Sequence, residues 1–184
     1  DKYDSVFGAK KLDGSNVHIY SVLLVVETCR YIAKKYGEKY VEDFTIGVIC
    51  PYASQAQLIE NLISQINDIP HNIKITVGTI HRFQGGQCNL IFAVFNPPRG
   101  MKLAADRIFL NNKNIVNVAI SRAQDYLCIL LPHCETDGYE SLYELNSIGV
   151  IARQDPSNVN VYTCDELEEC IIGEIFYIEN NTFV

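Results

Sequence analysis

The sequence has no apolar run of roughly eighteen residues, the length a membrane-crossing helix needs. The longest candidate, Ser21–Val26, is a short stretch inside an amphipathic pattern, so no transmembrane span is expected. A leader pattern is missing too: Asp1–Gly8 is polar and acidic, which predicts no signal peptide. None of the seven cysteines (Cys29, Cys50, Cys88, Cys128, Cys134, Cys164 and Cys170) forms a Cys-x-x-Cys pair. The usual zinc spacing is therefore absent. An odd number of thiols, several within apolar runs, predicts buried cysteines in a reducing cytoplasm. No Gly-x-x-x-x-Gly-Lys-Ser/Thr segment occurs, which excludes a phosphate-cradling loop of that kind from this sequence. There is no internal repeat and no low-complexity stretch. Bases are scarce at one end: from His133 to Val184 eleven acids face Arg153 alone, a charge of −10. The whole chain carries −7, so residues 1–132 carry +3. A mildly basic segment suits a phosphate partner, and an ordinary solvated surface would look the same.

What is present describes a folded α/β chain. With 184 residues, 48% hydrophobic and 20% charged, it can enclose one large core. Residues 1–16 are polar and are expected to be the tail of something begun upstream. From His18, apolar positions at Ile19, Val22, Leu23, Val26, Ile32 and Ala33 have helical spacing, ending near Gly37. Phe44–Cys50 reads as a buried strand. Pro51 follows, then a helix marked by Ile59, Leu62, Ile63 and Ile66, closed by Pro70. Ile73–Ile80 and Leu90–Phe95 read as strands and Ile115–Ala123 as a helix with Asn114, Asn117 and Ser121 along one stripe. Tyr126–Leu131 is a further strand, and Ser141–Ile148 a helix. Alternation of helices with continuously apolar strands predicts an α/β domain whose mostly parallel sheet is covered on both faces.

Ligands of such sheets bind beyond the carboxyl ends of the strands, so the segments that follow them carry the candidate chemistry. Pro51-Tyr52-Ala53-Ser54-Gln55 is, taken alone, a helix start, because proline costs little in a first turn. Tyr52 and Gln55 are its candidates for the binding edge. Thr79-Ile80-His81-Arg82-Phe83-Gln84-Gly85-Gly86-Gln87 is the most specific segment. Paired glycines let backbone N–H groups approach a phosphate, and Thr79 and His81 have the chemistry to bond a nucleic-acid backbone. Composition alone would make it a glycine turn leading into a strand. Arg99, in Asn96-Pro97-Pro98-Arg99-Gly100, reads as an exposed loop residue. In Asn117-Val118-Ala119-Ile120-Ser121-Arg122-Ala123, Arg122 sits near a helix C-terminus, where a cation suits the macrodipole. Ala119 and Ala123 leave room for another surface to approach its guanidinium. Asp165-Glu166 mimics a magnesium-binding acidic box after a strand-like Val159–Tyr162. It is rejected: Thr163-x-x-Glu166 reads as a capping box.

Taken together and in order, these segments resemble superfamily 1 helicases, in particular the 1B branch of RNA and DNA helicases. Thr79–Gln87 is similar to motif V, Asn117–Ala123 to motif VI, and Ile46–Gln55 to the strand and helix start that precede motif V. The resemblance covers about Ser15 to Leu131. It implies a three-layer RecA-like (P-loop NTPase-like) domain over residues 1–132, the second of two motor domains, followed by an acidic extension over 133–184. It implies ATP with Mg2+ in a cleft, its phosphates held mainly by the absent N-terminal RecA-like domain, and single-stranded DNA or RNA crossing both domains. Residue by residue, Arg122 matches the arginine finger. Gln84, Gly85 and Gln87 match nucleotide-cleft positions. Thr79 and His81 match the strand-binding side, and Asn117 and Ser121 match polar positions that couple the two sites and are counted with the strand contacts. The pattern departs from the family in Gln87, where a Glu is usual, and in Asn89, where an Asp is usual. Each keeps a hydrogen-bonding amide and loses a charge. The function implied is the C-terminal motor half of an ATP-dependent helicase. The alternative is a degenerate helicase-like scaffold or strand-binding module without ATPase activity.

Overall fold

The computed structural model describes residues 9–83, 85–95, 109–132 and 142–171. Gln84, Arg99 and the acids beyond residue 171 lie outside these. The chain forms two compact units, residues 1–148 and 149–184.

The first unit opens on a hairpin where a polar tail was expected. β1 (Ala9–Leu12) pairs antiparallel with β2 (Ser15–His18), Leu12 opposite Ser15. Its turn is Asp13-Gly14, with φ of 48° and 79°. Two successive positive φ values give the tight turn whose twist matches that of the flanking strands. Apolar content in the hairpin is low, which hid it from a reading based on hydrophobic periodicity.

α1 (Ile19–Lys39) follows at once, capped by His18, whose Nδ1 accepts the Ser21 N–H. Val22, Val25, Val26, Cys29 and Ala33 are buried along it, at intervals of three and four residues that make one apolar stripe. β3 (Phe44–Cys50), α2 (Ala53–Ser64), β4 (Ile73–Thr79) and β5 (Cys88–Val94) fall where the apolar runs place them. α3 (Lys113–Ile120) is shorter than the helical spacing suggests, and β6 (Ala123–Leu130) starts earlier. The reason is backbone pairing: Cys88 N–H donates to Arg122 O at 2.9 Å and draws the chain into the sheet directly after the helix. α4 (Tyr143–Gln154) completes the elements of this part of the chain.

The four strands β3 to β6 lie in the order β4-β3-β5-β6, all parallel. Alternate residues point to opposite faces. Ile46, Val48, Cys50, Leu90, Phe92 and Val94 pack with the stripes of α1 and α2. Ile49, Ile91, Ala93 and Phe95 pack with Leu110, Val116, Ala119, Leu142 and Leu145. A sheet between two helical layers is the three-layer α/β arrangement expected.

The connection from β4 to β5 holds a 3-10 turn in place of an α-helix. Between β4 and β5 the chain makes a short turn at Ile80–Phe83 and crosses beneath the sheet. Phe83 anchors it there, buried beside Gly47. A Cβ on Gly47 would stand 2.8 Å from the Phe83 ring and 2.5 Å from Ile91 Cδ1, so glycine is what admits the crossing segment.

In the second unit the described backbone holds a helix over 164–171. The capping box is formed: Thr163 N–H donates to Glu166 Oε2 at 2.7 Å and Glu166 N–H donates to Thr163 Oγ1 at 3.2 Å. The strand-like Val159–Tyr162 is not a strand. β propensity needs a neighbouring edge to become a strand, and Val161 and Tyr162 are instead exposed. Among the described residues no helix is long and apolar enough to cross a membrane.

Candidate functional site

The parallel sheet sorts the candidate residues onto two edges. Cys50 pairs with Thr79 at the carboxyl end of β3 and β4, whereas Cys88 pairs with Ala123 at the amino end of β5 and β6. At about 3.3 Å per residue the two edges stand roughly 20 Å apart. This corrects the expectation that all the chemistry follows the carboxyl ends of strands. Gly86, Gln87, Ser121 and Arg122 immediately precede β5 and β6, so they belong to the opposite edge.

At the carboxyl edge, Tyr52 caps α2 and is partly buried. Burial raises its phenol pKa, and a hydrogen bond with Asn16 works against that rise. Gln55, one turn on, is wholly buried. Its Oε1 accepts the His18 N–H at 2.9 Å, and its Nε2 has no partner among the described residues. Ser54 Oγ donates to Leu12 O at 2.8 Å. Gln55 and Ser54 therefore staple the hairpin to α2, and Gln55 offers no surface to a bound strand in this arrangement. Thr79 is partly buried and His81 exposed, and neither side chain makes a hydrogen bond among the described residues. Arg82 is exposed and folds back on its own strand: it donates to Val77 O at 2.7 Å and to Glu60 at 2.7 Å. Its side chain lies across Gly78, where a Cβ would meet Arg82 Cδ at 2.5 Å.

At the amino edge, Arg122 follows α3. Its Nε donates to Val118 O at 3.2 Å, its Nη2 to Ser121 Oγ at 2.9 Å and its Nη1 to Gly86 O at 3.4 Å. The first bond satisfies a carbonyl in the last turn of α3, the capping role its position suggests. A guanidinium carries five N–H groups, so two remain unspent. Among the described residues no carboxylate pairs with it. Ser121 donates in turn to Val118 O at 3.1 Å, and Asn117 is exposed one turn back on the same helix. The structure thus groups Asn117 and Ser121 with Arg122, a sheet length away from Thr79 and His81. Gly85 turns the loop at φ 89°, Gly86 N–H donates to Phe83 O at 3.3 Å, and exposed Gln87 accepts from Gln124 at 3.4 Å. Gln84 lies outside the described residues.

Residues 8–133, more than half of the chain, match the model of a family described as an AAA domain. The chain belongs to this AAA-domain family. Its fold is that of RecA-like P-loop NTPases, and the family is of the helicase-like, P-loop NTPase type. No curated protein matches the chain.

An AAA domain implies a nucleotide, and the residues of the amino edge fit one only as donors from the side. The unspent N–H groups of Arg122 and the glycine turn at Gly85 suit phosphate oxygens approached from outside this domain. The fit does not extend to Mg2+: among the described residues no group of three His, Cys, Asp or Glu side chains is placed to hold a metal.

Sequence reasoning missed two parts of this region. The hairpin staple carried an Asp-Gly signal that was available. The tie between Asn89 and Asp125, with Asn89 Nδ2 donating at 2.8 Å, had none, because it joins residues 36 positions apart.

Proposed function

We propose that this AAA domain is the second motor half of an ATP-dependent DNA or RNA helicase of superfamily 1, branch 1B. In this reading Thr79–Gln87 is motif V and Asn117–Ala123 is motif VI. The observation that carries it is Arg122: a guanidinium on a sheet edge, held by three neutral oxygens and, among the described residues, with no carboxylate to neutralise it and two N–H groups unspent. ATP with Mg2+, held mainly by a first RecA-like domain, supplies the phosphoanhydride whose hydrolysis powers stepping. Arg122 contributes positive charge to the γ-phosphate from across the cleft. Gly85, Gln87 and Gln84 border the same cleft. Tyr52, Thr79 and His81 meet the single strand at the other edge, about a sheet length away, and Asn117 and Ser121 lie where a change at Arg122 enters α3.

An arginine acting this way is worth roughly 10³–10⁵ in rate. In the protein that carries both motor domains, Arg122→Ala is expected to lower ATP turnover by that order while single-strand binding persists. Turnover at the unsubstituted rate would sink the assignment. A second reading, a strand-binding scaffold without ATPase activity, is favoured by Gln87, where an uncharged amide spends its hydrogen bond on Gln124. It is distinguished by the unsubstituted protein: strand binding with no strand-stimulated turnover at all supports the scaffold.

A further inference from the structure

The start of β6 is irregular. Cys88 stands opposite Ala123, but Leu90 stands opposite Tyr126, so Gln124 and Asp125 both oppose Asn89. Such a bulge bends its strand and re-aims neighbouring side chains, and bulges concentrate at edges beside functional groups. This one begins two residues after Arg122. Asn89 fastens it from both sides. Its Oδ1 accepts from Thr45 N–H at 2.9 Å and from Thr45 Oγ1–H at 2.8 Å, and its own N–H donates to Thr45 Oγ1 at 3.0 Å. Its Nδ2 donates to Asp125 Oδ2 at 2.8 Å. The side chain must accept on one side and donate on the other. An amide does both. A carboxylate has no proton to give and would place a second negative charge within hydrogen-bonding distance of Asp125.

We propose that Asn89 is a positioning residue, whose amide locks the bulge that sets how Arg122 is presented at the amino edge. The link to Arg122 runs through both strands. Cys88, next to Asn89, donates its N–H to Arg122 O at 2.9 Å, and Gly86 O receives Arg122 Nη1. Position 89, where the helicase pattern has an Asp, thus carries an amide on β5 that meets the carboxylate of Asp125 on β6.

The effect on catalysis rests on the helicase reading, whereas the lock itself is measurable without it. In this chain, amide hydrogen exchange of Cys88 reports the bond to Arg122. Asn89→Asp is expected to speed that exchange about tenfold or more at neutral pH, as for loss of a hydrogen bond to a charged group. Other charged and titratable groups near the pair are Tyr36 of α1, which feels Asp125, and Lys74 of β4, which acts on the Cys88 thiol. The two carboxylates of N89D repel each other and share a proton as pH falls, so protection returns on acidification. The double variant Asn89→Asp/Asp125→Asn reverses the polarity of the bond and restores protection at neutral pH. Asn89→Ala loses the bonds without the repulsion, and its exchange is fast at every pH. In the two-domain protein N89D lowers kcat with little change in KM for ATP, and the double variant recovers it. Unchanged Cys88 protection in N89D and N89A overturns the lock. Normal kcat in an N89D protein whose Cys88 amide has lost protection overturns the positioning role. Full turnover in R122A, by contrast, overturns the helicase reading and leaves the exchange result standing.

Discussion

Arg82 and Arg122 each come after a regular element in a short turn, yet their guanidinium groups have different fates. Arg82 folds over Gly78 and spends its Nη1 on Val77 O and on an ion pair with Glu60. Arg122 is held by neutral oxygens alone and, among the described residues, has no carboxylate partner. That contrast was only half legible in the sequence. The order of segments singled out Arg122, but Arg82 stood among the motif residues too, and nothing local says that the missing Cβ of Gly78 lets it turn back. Gln55 is the opposite case, a polar residue at a helix start that looks like a surface group and is buried by a hairpin the apolar pattern did not show. Of the described thiols, Cys29, Cys50 and Cys88 are buried as expected, Cys128 is half-buried, and Cys164 and Cys170 are exposed. Burial pushes Cys50 up to about 12 and Cys128 up to about 11. Cys29 is raised further still, by burial first and then by its neighbours Cys128 and Cys50. The thiolate is the reactive form, so buried thiols should resist alkylation. At pH 8, iodoacetamide is expected to modify exposed Cys164 at least tenfold faster than Cys29 and Cys50, which react only in denaturant. Mass spectrometry of a time course checks this, and equal rates in the native chain would refute the burial.

At the scale of elements, the strands β3, β4 and β5 arise directly from apolar runs bounded by turn residues. Their edges were less legible, because the end of α3 and the start of β6 are decided by a bond to Cys88 from another strand. The start of helix 164–171 was legible from Thr163-x-x-Glu166, since a capping box is a purely local device. The box also sets a pH response. The Thr163 backbone N–H, then its hydroxyl, hold the Glu166 carboxyl below its ordinary 4.5. A lowered folded-state pKa means that the cap is fully in force above the ordinary carboxylate value and is lost as pH falls through the lowered one. The Thr163 amide chemical shift is expected to titrate with a midpoint below 4.5. A midpoint at or above that value would show that the box does not persist in solution.

In the first unit the candidate residues fall on two opposite edges of one sheet, and this was the part the sequence could not supply. Residue order shows which segment comes after each strand, but not that the chain between β4 and β5 dives beneath the sheet and emerges at the far edge. If the helicase reading holds, variants at the two edges separate. Thr79→Ala with His81→Ala should weaken single-strand binding about tenfold or more, with unstimulated ATP turnover within a factor of about two, the reverse of Arg122→Ala. Fluorescence anisotropy and a phosphate-release assay on the same preparations check the pair; equal losses in both assays for both variants would mean that the edges do not act separately. The crossing segment also sets a length constraint. Residues 80–87 cross roughly 20 Å through two successive turns, one over Ile80–Phe83 and one closed by the Gly86 N–H on Phe83 O, each of a length fixed by its own hydrogen bonding. With Phe83 pinned at its middle, this stretch tolerates neither a deletion nor an inserted residue without pulling one edge out of register. Chain-length variation among proteins built this way should therefore collect in the connection after β5 and be missing here.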